Sequence, residues 1–103
     1  MSVYETIKQA VQNRRVISAT YDGYYREFCP HVVGTKNGVQ MVLCLQSGGQ
    51  SSKGLDADPA KNWRCVLVSK LADVTLVLGE WTTAPNHSRP QSCVDTIDAE
   101  VSF

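Results

Sequence analysis

Several things are scarce in this chain, and each scarcity removes a class of function. No run of about 18 apolar residues is present to cross a membrane as a helix. The opening residues Met1-Ser2-Val3-Tyr4-Glu5 lack the basic-then-apolar order of a secretory signal, so the expected setting is the cytoplasm. The formal net charge is zero, which by itself points to no nucleic-acid partner. The four cysteines, Cys29, Cys44, Cys65 and Cys93, include no CxxC pair. A disulfide framework belongs to a secreted context, so reduced, structural thiols are expected instead. Cys29 and His31 with Cys93 or His87 offer zinc-ligand types, but at a spacing that matches no structural site.

Catalytic signatures are missing as well. Gly49 and Gly54 have the separation of a phosphate-binding loop, yet Leu55-Asp56 stands where Lys-Ser/Thr is required. There are no suitably paired carboxylates and no nucleophile elbow. A Cys29/His31 dyad, or Cys93/His87 with Asp95, would rest on residue types alone. The chain therefore reads as a non-enzyme without a cofactor.

What is present is the material for a small core. A length of 103 residues with 43% hydrophobic and 19% charged residues suits a single folded domain. Charge is unevenly distributed. Through Leu78 there are nine basic residues against six acidic ones, whereas residues 79–103 carry Arg89 against Glu80, Asp95, Asp98 and Glu100. A basic body of residues 1–78 followed by an acidic tail of residues 79–103 is the expected organisation.

Ser2 with Glu5 forms a capping box, and Val3, Ile7, Ala10 and Val11 lie on one helical stripe, predicting a helix from Val3 to Asn13. Arg14 and Arg15 then suit the negative pole of its dipole. Asp22-Gly23 and Asn37-Gly38 are type I′ hairpin signals, because both central residues of that turn need positive φ. They predict strands at Val16–Tyr21, Tyr24–Lys36 and Val39–Gln46, with Pro30 at a bulge or bend. A loop follows over Ser47–Lys61, then strands at Trp63–Ser69 and Asp73–Leu78. The expected fold is mainly β (α+β): an N-terminal helix and a small five-stranded, strongly bent antiparallel sheet closing toward a barrel. In the tail, Thr82–Ser92 reads as linker, and Cys93–Phe103 either returns as an edge strand or stays loose.

Two-residue turns fix register, and directly paired residues share a face. One face then holds Tyr21/Tyr24, Ala19/Arg26, Ile17/Phe28, Gly34/Met41, Val32/Leu43 and Pro30/Leu45, and is expected to be the core face. Arg26 is its exception, opposite the small Ala19. The other face carries Thr20/Tyr25, Ser18/Glu27, Val33/Val42, His31/Cys44 and Thr35/Gln40.

Ile7-Lys8-Gln9-Ala10-Val11 followed by Val16–Tyr21, then Arg26-x-x-x-Pro30-His31-x-Val33, Gly38-x-Gln40-Met41-Val42, and Trp63-Arg64-Cys65-Val66 through Lys70-Leu71, together resemble the WYL domain family over about Tyr4–Leu78. That resemblance implies a Sm-like or SH3-like barrel that senses a ligand or nucleic acid in bacterial transcriptional regulators. The naming tripeptide is replaced by Gln40-Met41-Val42, and Lys70 stands where the family has a second arginine, keeping the charge but losing bidentate geometry. By this resemblance the binding residues are His31 and Arg64, and more weakly Lys70; Met41 reads as core. Arg26 joins them on its own account: an unpaired charge on an apolar face is costly, so it either binds a ligand or pairs with a buried carboxylate.

On a straight strand, Arg64 and Lys70 lie on one side about 20 Å apart, a spacing suited to successive phosphates, with Tyr25 or Trp63 to stack on bases. The competing reading has each head group snorkelling from a barrel end. The expected function is a non-catalytic module binding single-stranded nucleic acid or a nucleotide through Arg26, His31, Arg64 and Lys70. A separate regulator chain would supply output, and the acidic tail would compete for the basic surface. The alternative is a protein-interaction or homo-oligomerisation module that uses open strand edges and no small ligand.

Overall fold

The computed structural model describes residues 2–49, 55, 57–88 and 91–102. Helix α1 spans Val3–Asn13, and its Ser2 cap accepts a hydrogen bond from the Glu5 amide at 3.1 Å. The helix stops because Arg14 turns left-handed, at φ 50°, and its amide returns to the Ala10 carbonyl. The Arg14 side chain is a tether as well as a terminus. Its guanidinium donates to the Ser102 carbonyl and lies over the Trp81 ring, 5.2 Å from the centroid.

Six antiparallel strands follow: β1 (Val16–Tyr21), β2 (Tyr24–Lys36), β3 (Val39–Gly49), β4 (Trp63–Leu67), β5 (Ala72–Val77) and β6 (Thr96–Glu100). The first two turns have the predicted chemistry: Asp22, Gly23, Asn37 and Gly38 all have positive φ. The sheet order is β4-β3-β2-β1-β5, with β6 joined to β2. A single 3-10 turn at Val68–Lys70 carries the chain from β4 to β5, on opposite ends of that order. The result is a bent, six-stranded antiparallel sheet with a leading helix, and α1 lies on its concave side. Ile7, Ala10 and Val11 pack there with Ile17, Ala19, Phe28, Val33, Val42, Cys44 and Val66.

Four sequence expectations are corrected. β3 runs three residues past Gln46, to Gly49, while β4 ends at Leu67 rather than Ser69, because Val68–Lys70 turns. β5 is Ala72–Val77 rather than Asp73–Leu78, leaving Leu78 almost fully exposed at 97%. The single core face changes parity in β2. The ladder slips between Pro30 and Val32, so Pro30 pairs with Cys44 and Val32 with Leu43. Before the slip Ile17, Ala19 and Phe28 face the core; beyond it Val33 and Val42 do, and Val32, Leu43 and Met41 pack outside against Cys93 and Val94. Pro30 causes this, since it has no N–H to give to the ladder. In the tail the returning edge strand is the alternative realised, adding a sixth strand to the expected five. β6 takes the part of β2 that β1 leaves uncovered, pairing Val32 with Glu100 and Thr35 with Thr96.

The cysteines also depart from expectation. Cys29 and Cys44 are buried free thiols, but Cys65 and Cys93 form a disulfide across 28 residues. Residue spacing gave no hint of this pair, because β4 and the stretch before β6 meet only through the bent sheet.

Candidate functional site

Arg26 lies on the concave side, because it pairs with Ala19 on β1, a core residue. Only 6% of its surface is exposed. The guanidinium sits over the rings of Tyr21 and Tyr24, at 5.1 and 5.7 Å from their centroids. Those rings are cross-strand partners flanking the first turn, so the Asp22-Gly23 hairpin builds the aromatic walls. Cation–π contact stabilises such a charge by about 0.5–2 kcal/mol, less than desolvating it costs. No carboxylate pairs with Arg26 among the described residues, and its buried Nε finds no acceptor.

Arg64 arrives at the same concave side from β4. It pairs with Cys44, whose side chain belongs to the core cluster. Its Nη1 donates to the carbonyls of Trp63, at 3.1 Å, and Lys61, at 3.3 Å. Partial burial, and then the positive charge of Arg26, hold the Arg64 pKa below its ordinary value. Two arginines that feel each other, with no carboxylate paired to either among the described residues, make a local positive potential that an anion would relieve. On β3, Gly49 has φ 81° and lies opposite Arg26. A Cβ there would fall 2.5 Å from the Arg26 Cα, so no other residue fits without displacement.

The other two expected site residues lie elsewhere. Lys70 is exposed in the 3-10 turn, off β4, so the straight row of charges from Arg64 to Lys70 does not exist. His31 is buried on the convex side between Trp63 and Trp81, with ring centroids 4.6 and 4.4 Å away. Its Nδ1–H donates to the Cys29 carbonyl at 2.7 Å, which leaves Nε2 to accept from the Thr83 hydroxyl at 2.9 Å. Burial pushes this imidazole down to about 4 from 6.5, with His87 and Arg14 contributing in the same direction. His31 is therefore a neutral packing and hydrogen-bonding residue. Trp63 is engaged there too, donating from Nε1 to Asn86 at 2.7 Å.

The remaining chemistry is similarly structural. Cys93 is bonded to Cys65, which removes it as a nucleophile or zinc ligand, and burial pushes the Cys44 thiol up. No group of three or more His, Cys, Asp or Glu residues able to hold a metal occurs among the described residues. The acidic tail does not cover the arginines with Asp98, which accepts from the Tyr4 hydroxyl at 2.7 Å and pairs with Lys8 at 3.2 Å on α1.

Tyr21 and Tyr24 were missed as site residues. Their signal was present: the same turn that puts Arg26 on the core face puts both tyrosines there. The chain matches no protein-family model, no curated protein and no solved structure.

Proposed function

We propose that this chain is a non-catalytic binding module, akin to WYL domains, that takes the anionic group of a nucleotide or of single-stranded nucleic acid between Arg26 and Arg64. One observation carries the reading: an arginine only 6% exposed, within electrostatic range of a second arginine, with no carboxylate partner among the described residues. Buried charges are ordinarily paired, and leaving one unpaired is among the more costly arrangements in a small protein. A bound phosphate restores the missing partner through charge-assisted hydrogen bonds. Tyr21 and Tyr24 lie beside it to meet a base or an apolar part of the ligand. Lys70 and His31 take no part in this version of the site.

A cytoplasmic setting and a role in transcriptional control through a separate regulator chain accompany this reading. Among the described residues, no helix is long and apolar enough to cross a membrane. Fluorescent nucleotide and oligonucleotide titrations over a range of salt test the proposal. Saturable binding that weakens with salt, and falls by about ten- to a hundredfold in Arg64→Ala, is expected. A self-association module is the second reading, favoured by β4 and β5 ending the strand order with no further strand paired to their outer edges among the described residues. Light scattering that shows a stable dimer, with no nucleotide bound, would select it.

A further inference from the structure

The convex side of the sheet carries a second feature, independent of the arginine site. The β3–β4 register sets Cys65 opposite Leu43, facing away from the core that Val42 and Val66 join. Cys65 is exposed and its disulfide partner Cys93 is 6% exposed. Both line a cavity of about 460 Å³ together with Leu43, Trp63, Lys36 and His87. Among its described lining residues, none is acidic. Lys36 donates from Nζ to the Ser92 carbonyl and has no carboxylate partner among the described residues.

A disulfide in the wall of a cavity whose described lining holds a lysine and no acidic side chain is a reactive group with a selective approach. We propose that the cavity is a thiolation site for a low-molecular-weight thiol bearing carboxylates. The carboxylates rest against Lys36 and His87, and the thiolate attacks the Sγ of Cys65, the more exposed residue of the pair. Its electron pair forms the new sulfur–sulfur bond while the Cys65–Cys93 bond breaks. Cys93 leaves with the bonding pair as a thiolate and takes a proton from solvent. The exchange needs no other oxidant or reductant, since one disulfide replaces another. A neighbouring lysine favours the departing thiolate. Attack at Cys65 rather than Cys93 follows from access. The exchange releases the covalent tie between β4 and the stretch leading into β6, and cytosolic disulfides are commonly transient and redox-sensing in this manner.

The test uses the full oxidised chain with glutathione, neutral 2-mercaptoethanol and cationic cysteamine. Each rate of disulfide opening is divided by that thiol's rate on hydroxyethyl disulfide, which cancels intrinsic reactivity. Glutathione should exceed cysteamine on the order of tenfold at low salt, with the ratio falling toward one at high salt. Lys36→Met should reduce the ratio, and His87→Gln supplies the same readout should the first variant fold poorly. Peptide mapping should find the glutathione adduct on Cys65. Equal normalised rates, an adduct confined to Cys93, or two free thiols in the air-oxidised protein would overturn the proposal.

Discussion

Arg26 and Gly49 face each other across the β2–β3 ladder, and the glycine's missing side chain is what lets β3 run past the arginine. A Cβ at Gly49 would be 2.5 Å from both the Arg26 Cα and the Tyr25 carbonyl oxygen, on a backbone with φ 81°. Gly49→Ala should therefore lower stability by about 1–3 kcal/mol and weaken ligand binding together, read by urea denaturation and nucleotide titration.

A buried guanidinium with no carboxylate partner among the described residues predicts a conflict between stability and binding. Arg26→Met keeps an apolar stem of similar length beneath Tyr21 and Tyr24 while deleting the charge. Stability should be unchanged or raised by about 1–3 kcal/mol, and anion affinity should fall at least tenfold. Paired denaturation and titration curves check this. Loss of stability with affinity retained would mark Arg26 as a structural residue.

His31 gives a pH dependence with a definite sign. Its folded pKa of about 4 lies below the ordinary 6.5, so the unfolded chain binds the extra proton first as pH falls. The neutral imidazole's contribution is full above about pH 6.5 and declines toward pH 4. It amounts to at most about 3 kcal/mol. Denaturation midpoints measured from pH 7.5 to 4.5 should fall more steeply for the native chain than for His31→Gln.

Tyr4 offers a spectroscopic check on how the tail is held. Burial and the nearby Asp98 carboxylate raise its hydroxyl to about 12. The same hydrogen bond and Lys8 hold Asp98 below the usual carboxylate range. Ultraviolet titration should show a late-ionising tyrosine near pH 12 that disappears in Tyr4→Phe and moves toward 10 in Asp98→Asn.

Local rules made much of this fold legible. The capping box placed α1, and the two Asx-Gly turns placed β1, β2 and the start of β3, because each depends only on neighbouring residues. The face assignment failed after Pro30, since a bulge there shifts the register by one and exchanges Val32 for Val33 in the core. Arg26 was visible as a charge on an apolar face, and its two tyrosines followed from the same hairpin. The resemblance to WYL domains suggested His31 and Lys70, but burial between Trp63 and Trp81 and the turn at Val68–Lys70 took them elsewhere. The Cys65–Cys93 bond depended on tertiary path, which no spacing rule encodes.

The Arg26 Nε–H is itself an observable probe of the central claim. Buried and without an acceptor, it should give a slowly exchanging side-chain signal in a proton–nitrogen NMR spectrum. Titration with a nucleotide should move that signal saturably, in step with the Arg64 Nε–H and the Tyr21 and Tyr24 ring protons. A nucleotide that binds while the Arg26 and Arg64 signals stay fixed, or leaves the entire spectrum unchanged, would contradict the account.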